Sequence, residues 1–152
     1  MATLNELLAE SGITDPVNNY LHDDIQFIID NDLRAIAVPD RGIVAGVRGD
    51  KNVNRINFQM VRYYNGFDMS TFNVRVNYIA ADGIPNYYEV TDSTVEGDMI
   101  YFTWLIDSDV TEVVGDISFV VHLFKLENEK VTQSYHTSIN NTKQLKILDT
   151  IL

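Results

Sequence analysis

Three histidines are the side chains best suited to acid–base or metal chemistry in this sequence: His22, His122 and His136. His122 lies inside the apolar run Phe119–Phe124, and no ligand or catalytic partner accompanies it at a defined sequence spacing. Metal sites and catalytic groups require such partners. We therefore expect His122 to be a strand residue whose ring is satisfied by a neighbouring side chain, and we predict no catalytic residue.

Carboxylates cluster at Asp23–Asp24, at Asp30 with Asp32, and at Asp107, Asp109 and Glu112. The third cluster resembles a fragment of a calcium loop, because calcium prefers several carboxylate oxygens. It lacks the glycine at the sixth position and the glutamate at the twelfth that a complete loop supplies. A solvated turn is the better interpretation, and we predict neither a metal nor a cofactor. The same carboxylates would act as a glycosidase pair only at a separation that sequence does not reveal.

Tyrosines offer binding rather than catalysis. Tyr63, Tyr64, Tyr87 and Tyr88 lie near predicted turns or on strand faces, where their rings could stack on sugars. More commonly, tyrosines fill the edges of a core or an interface while the hydroxyl group reaches water or a partner. Trp104 lies in the middle of an alternating segment, and we expect it to be a core residue.

Composition excludes several classes of function. The 152 residues suit one domain, and 45% of them are hydrophobic, which argues against disorder. The 22 acidic and 11 basic residues give a net charge of -11, which disfavours binding to a phosphate backbone. The absence of cysteine excludes disulfides and thiol nucleophiles. No apolar stretch is long enough for a membrane span, and the first residues do not resemble a secretion signal.

The chain is predicted to consist of a helical N-terminal arm, residues 1–24, and a β-sandwich domain, residues 25–152. Thr3 and Glu6 fit a capping box, and Asp15-Pro16 fits the start of a second short helical turn. Both pieces are too short to be stable alone, so the arm must dock on its own domain or on a neighbouring subunit. The expected assembly contacts are its apolar side chains Leu4, Leu7, Leu8, Val17, Tyr20 and Leu21.

From residue 25 onward the hydrophobic pattern has a period of two. The alternation is clearest at Arg55–Met60 and Ile100–Ile106, and the most apolar run, Ile117–Leu126, suits a central strand. Residues 39–52 are predicted to be a flexible loop because they are rich in proline, glycine and aspartate. Their spaced glycines match no phosphate-binding motif. Seven to nine strands with turn signals between them, such as Asn65-Gly66, predict an all-β, immunoglobulin-like antiparallel sandwich.

Four segments together resemble a known family: Arg55–Ser70, Val74–Ile79, Asp92–Asp98 and Ile100–Leu105. They resemble virion accessory proteins of tailed bacteriophages of Gram-positive bacteria, similar to the baseplate upper protein N-terminal domain. The resemblance covers residues 24–138 and rests on turns and core strands. It implies an immunoglobulin-like sandwich that attaches a distal module to the virion, with no catalytic residue.

The expected function is therefore that of a non-enzymatic, multicopy structural protein of the virion. Its expected partners are other phage virion proteins and further copies of itself, with neither nucleic acid nor membrane among them. Because only a short tail follows residue 138, a capsid decoration protein or the base of a head fibre competes with a tail or baseplate adaptor. We expect synthesis in the host cytoplasm without secretion.

The residues also suit two other functions. The alternative is a carbohydrate-binding module that contacts host-surface polysaccharide through Tyr63, Tyr64, Tyr87 or Tyr88. An enzyme that acts on cell-wall polysaccharide through Asp107 or Asp109 ranks third.

Overall fold

Thirteen strands form two packed sheets and one small ribbon in the part of the chain that the computed structural model describes, residues 20–138 and 144–151. In chain order they are β1 (Phe27–Asp30), β2 (Ala35–Ala37), β3 (Val44–Val47), β4 (Asn54–Val61), β5 (Tyr63–Tyr64), β6 (Phe67–Asp68), β7 (Asn73–Ile79), β8 (Pro85–Glu89), β9 (Ser93–Glu96), β10 (Met99–Ile106), β11 (Gly115–Glu127), β12 (Lys130–His136) and β13 (Leu145–Leu148). Three 3₁₀ turns, Tyr20–His22, Asp40–Gly42 and Met69–Thr71, and the short helix α1, Ser108–Thr111, complete the described elements.

Sheet I has the strand order β2-β1-β4-β10-β9. Its centre is the antiparallel pair β4–β10, whose register runs from Asn54 opposite Ile106 to Val61 opposite Met99. Strand β1 joins β4 in the parallel direction, with Phe27 opposite Phe58. This register places the apolar residues of the alternating segments on one face, which packs against the second sheet.

Sheet II has the strand order β3-β13-β11-β7-β8, and β12 also pairs with β11. The 13-residue strand β11 pairs with β7 along one side, and with β13 and then β12 along the other. A strand with neighbours on both sides and a covered face must be strongly apolar. The prediction that Ile117–Leu126 forms a central strand is therefore confirmed.

An aromatic cluster joins the two sheets. Phe58 and Phe102 of sheet I stack with ring centroids 5.1 Å apart, and Phe119 of sheet II meets Phe58 edge-on at 6.0 Å. The Trp104 ring lies 5.9 Å from that of Phe119 and is fully buried. The expectation that Trp104 belongs to the core is confirmed.

The predicted turns join neighbouring strands. Asn65 and Gly66 connect β5 to β6 with φ angles of 50° and 81°, which are the positive values that a type I′ hairpin requires. Asn128 and Glu129 connect β11 to β12, also with positive φ angles, 51° and 65°. These tight connections fix adjacent antiparallel strands.

The all-β sandwich is confirmed, but the predicted count of seven to nine strands is too low for the described residues. The additional strands are short: β3, β9 and the ribbon of β5 and β6. The loop predicted over residues 39–52 is wrong at its centre, because Val44–Val47 forms β3 in parallel with β13. The immunoglobulin-like detail stays a prediction. The boundary between arm and domain also stays a prediction, since residues 1–19 lie outside the described part.

Candidate functional site

The 3₁₀ turn Tyr20–His22 packs on the outer face of sheet I, over β4 and β10. The Asn57 side-chain amide donates a hydrogen bond to the Tyr20 carbonyl oxygen at 2.8 Å. The Arg55 guanidinium lies 3.9 Å from the centroid of the Tyr20 ring, within the range of a cation–π interaction. Burial is the main cause that raises the pKa of Tyr20, and a hydrogen bond with Asp92 is the second. Tyr20 is therefore fixed to its own domain through both its backbone and its ring.

The next residues are fixed in the same way. His22 Nε2 lies 3.0 Å from Glu96 Oε1, and the His22 ring meets Tyr101 edge-on with centroids 4.6 Å apart. The Gln26 amide donates to the carbonyl oxygens of Leu21 and Asp23 at 2.9 Å and 2.7 Å. We call residues Tyr20–His22 the anchor. The remaining predicted assembly residues, Leu4, Leu7, Leu8 and Val17, lie outside the described residues.

An apolar patch lies on the same outer face of sheet I. Ile28 of β1 is 47% exposed and Val61 of β4 is 45% exposed, and both line a shallow cavity of about 460 Å³ with Tyr63. We call Ile28, Val61 and Tyr63 the sheet I patch. Exposed apolar side chains that form a contiguous surface are typical of contact sites, whereas isolated ones are ordinary.

The four predicted sugar-contact tyrosines do not form one platform. Tyr63 is 50% exposed on β5 and Tyr87 is 55% exposed on the outer face of sheet II. Tyr64 and Tyr88 are half-buried and pack against the core. Consecutive strand residues point to opposite faces, so each adjacent pair contributes one exposed and one inward-facing ring.

Tyr64 takes part in a cluster that the sequence does not indicate. The Arg34 guanidinium lies over the rings of Tyr64 and Tyr135, at 4.9 Å and 4.0 Å from their centroids. It also donates to Tyr64 Oη at 2.8 Å and to the His136 carbonyl oxygen at 2.9 Å. This cluster connects the β1–β2 turn to the β5–β6 ribbon and to β12, so Tyr64 stabilises the junction between these elements.

A groove crosses the outer face of β7, β8 and β11, with a volume of about 480 Å³. Its floor consists of two cross-strand rows of outward-facing side chains. They are Tyr87, Asn77 and Val120 in the first row, and Pro85, Ile79 and Ser118 in the second. We call these six residues the outer groove. Tyr87 is the predicted sugar-contact residue that lies in it.

His122 and His136 lie opposite each other on β11 and β12. Their rings stack almost parallel with centroids 4.0 Å apart, and His122 Nε2 lies 3.3 Å from Ser134 Oγ. Burial, the neighbouring His136 and Arg75 of β7 lower the pKa of His122. The expectation that His122 is satisfied by neighbouring side chains is confirmed, although the histidine partner is not predicted by the sequence.

Replacement of His136 by glutamine is expected to raise the pKa of His122 toward its ordinary value of 6.5, because the neighbouring positive charge is removed. In the protein without the substitution, His122 binds its proton more tightly in the unfolded state than in the folded state. The contribution of His122 to the free energy of unfolding should therefore be complete above about pH 6.5 and decrease as the pH drops through and below that value. NMR titration of His122 and urea unfolding at two pH values measure both effects. An unchanged His122 pKa in His136→Gln would contradict the coupling.

One carboxylate in each of two predicted clusters stabilises local structure. Asp107 caps α1 by accepting a hydrogen bond from the Val110 amide at 3.3 Å. Asp30 Oδ1 accepts from the Asp32 and Leu33 amides at 2.9 Å and 3.1 Å, which closes the predicted turn. Within residues 20–138 and 144–151, no three histidine or carboxylate side chains are grouped as a metal site would require.

Comparison with known proteins finds similarity among solved structures. No protein-family model and no curated protein matches the sequence. Among solved structures, the chain is similar to one described as the N-terminal domain of phage TP901-1 ORF48, with 12% sequence identity and a TM-score of 0.46. The alignment covers 84% of this chain and 96% of that one. No helix in the described part has the length and apolarity needed to cross a membrane. The family resemblance of the sequence stays a prediction.

Proposed function

We propose that this chain is a non-enzymatic structural subunit of a tailed-phage virion, present in several copies and attached to its neighbours through its N-terminal segment. One observation carries the proposal: the anchor fixes the base of that segment to the outer face of sheet I, where the sheet I patch is also exposed. The phage assignment is supported by the four sequence segments that resemble virion accessory proteins.

The anchor reduces the conformational entropy that is lost when the residues before it bind a partner. A segment that hung from a free loop would lose a large conformational entropy when it bound. Here the hydrogen bond from Asn57 and the contacts of Arg55 and Glu96 already fix its last residues, so less entropy remains to be lost. The leucines at positions 4, 7 and 8 then need an apolar surface, and the sheet I patch of a neighbouring copy is of the right chemical type.

The charge of the chain suits a subunit that assembles late. A net charge of -11 keeps separate copies soluble and makes them repel one another at a distance. Contacts that bury apolar side chains over a small area can outweigh this repulsion only when copies are held together on a scaffold. A tail, a baseplate or the capsid exterior would each supply such a scaffold.

Removal of residues 1–19, with the anchor retained, tests the proposal. We expect a folded sandwich with unchanged near-UV circular dichroism that no longer enters virions when it is supplied in place of the full chain. Incorporation is measured by quantitative mass spectrometry of purified particles. Equal incorporation of the shortened and the full chain would contradict the proposal.

A surface substitution tests the patch separately. Val61→Lys should reduce incorporation, because it places a charge within the apolar contact. Val131→Lys is the matched control, since Val131 is also an exposed strand valine, 54% against 45% for Val61, but lies on β12 of sheet II. Equal losses in the two variants would show that the sheet I patch is not the contact.

A further inference from the structure

We propose that the outer groove binds a neutral saccharide. The groove lies on sheet II, whereas the anchor and the sheet I patch lie on sheet I, so the proposal is independent of the mode of attachment. Its basis is the combination of an exposed and held aromatic ring, an apolar floor and neutral groups that can form hydrogen bonds.

The groove has the dimensions of a small-molecule site. Its volume of about 480 Å³ lies within the range of roughly 300–1,000 Å³ that such sites occupy. Tyr87 and Ile79 are 55% and 45% exposed and supply accessible apolar side-chain surface. The C–H face of a pyranose ring is apolar and packs well on an aromatic ring of this kind.

The Tyr87 ring is held in place before any ligand binds. The Arg75 guanidinium lies 4.3 Å from its centroid, and Arg75 Nη2 lies 2.7 Å from Glu89 Oε1. Arg75 therefore supports the ring from the adjacent row while its charge is paired with Glu89. A ring that is already oriented loses little side-chain entropy on binding, which favours affinity for a small ligand.

The polar groups of the groove are neutral and match sugar hydroxyls. Asn77 offers an amide that both donates and accepts hydrogen bonds. Ser118 Oγ accepts from the Gln144 amide at 3.4 Å, so its own proton can be donated to a ligand. With Arg75 and Glu89 paired and a net charge of -11 on the chain, an anionic polymer would be repelled.

A protein strand is a less suitable occupant of this edge of the sheet. Val90 donates to the Val74 carbonyl oxygen, and the alternation of antiparallel pairs then directs the Tyr87 N–H to the free edge of β8. That N–H donates instead to Asn86 Oδ1 at 2.8 Å. A donor that an added strand would need is thereby already satisfied, which disfavours pairing with another chain at Tyr87.

The test uses the full chain and a panel of neutral oligosaccharides of glucose, galactose, rhamnose and N-acetylglucosamine. We expect at least one to bind with a Kd of about 1 mM or tighter and to shift amide NMR signals of β7, β8 and β11. Tyr87→Ala should weaken binding by about ten-fold or more, whereas Tyr87→Phe should retain it. Phe67→Ala is the matched control, because Phe67 is similarly exposed, at 49% against 55% for Tyr87, and lies on β6, outside both the groove and the sheet I patch.

Three results would overturn the proposal. The first is the absence of binding by every oligosaccharide in the panel. The second is binding that Tyr87→Ala leaves unchanged or that Phe67→Ala weakens equally. The third is a change of oligomeric state in Tyr87→Ala, measured by light scattering, which would assign the groove to a contact between copies. Thermal unfolding of Tyr87→Phe and Tyr87→Ala separates a local loss of binding from a loss of the fold.

Discussion

Replacement of Phe58 by alanine is expected to lower the free energy of unfolding by about 3–5 kcal/mol. Phe58 is fully buried, and its ring contacts those of Phe27, Phe102 and Phe119. The substitution removes apolar burial and leaves a cavity at the point where the two sheets meet, which the surrounding rings can fill only in part. For a domain whose total stability is about 5–15 kcal/mol, this is a large fraction.

Urea unfolding followed by tryptophan fluorescence measures this loss, because Trp104 contacts the same cluster through Phe119. Phe67→Ala is the matched control: Phe67 is 49% exposed on β6, so its removal should change the unfolding free energy by less than about 1 kcal/mol. A Phe58→Ala variant as stable as the Phe67→Ala variant would show that the two sheets are held together elsewhere.

The strands that meet at Phe58 are those that the sequence predicts best. Arg55–Met60 and Ile100–Ile106 alternate because one face of each strand is covered by the other sheet. Ile117–Leu126 is apolar on both faces for much of its length, as suits a strand with neighbours on both sides. In these three segments the local pattern and the tertiary environment agree, which is the condition for prediction from sequence.

Strand β3 could not be predicted in the same way. Val44–Val47 contains Gly46 and is only four residues long, so its local pattern resembles a loop. It becomes a strand because β13, about a hundred residues later in the chain, pairs with it in the parallel direction. Such a pairing is a property of the tertiary structure and leaves little local signal.

A β-bulge explains why the sequence does not predict that His122 and His136 lie opposite each other. The Asn128–Glu129 turn places Lys130 opposite Glu127, and a regular hairpin continued from there would place Tyr135 opposite His122. The register shifts by one residue between Lys125 and Leu126, and His136 takes that position instead. Because a shift of one residue moves every later side chain to the opposite face, contacts beyond the bulge depend on a feature that the sequence does not mark.

The candidate sites show the same limit. Alternation separates Tyr87 from Tyr88, so the sequence could distinguish an outward from an inward ring on β8. It could not show that Asn77, Val120 and Ser118 lie beside Tyr87, since these residues come from strands far apart in the chain. The sequence predicts Tyr20 and Leu21 as assembly contacts, and this stays a prediction, but the attachment of Tyr20 to Asn57 and of His22 to Glu96 appears only in the folded chain.

Replacement of Gly115 by alanine is the second change expected to destabilise the fold strongly, by about 3 kcal/mol or more. Gly115 has a φ angle of 125°, in a region that other residues rarely adopt. A Cβ atom on Gly115 would also lie 2.7 Å from the Cβ atom of Ala81, closer than carbon atoms that are not bonded to each other approach in proteins. Backbone strain and a steric clash therefore act together at the residue that begins β11.

Three further variants separate these causes. Gly83 has a φ angle of 77°, and a Cβ atom added there would point into open space, so Gly83→Ala measures strain in a turn without a clash. Ala81→Gly combined with Gly115→Ala removes the clash and keeps the strain, and the double variant should recover part of the lost stability. Urea unfolding measures all four proteins, including the single Ala81→Gly variant.

The position of Gly115 also predicts which strand pairing of β11 is weakened first. Gly115 lies opposite Ile147 of β13, so displacement of its backbone should weaken the β11–β13 pairing before the β11–β7 pairing, which begins at Ser118. The alternation of the antiparallel pairs directs the N–H groups of Leu145 and Ile147 in β13, and those of Asn77 and Ile79 in β7, toward β11. In Gly115→Ala, amide hydrogen exchange should therefore accelerate more at Leu145 and Ile147 than at Asn77 and Ile79. Equal acceleration in β13 and β7 would mean that the clash loosens the whole sandwich, and the β11–β13 pairing would then have no stability separate from that of the rest of sheet II.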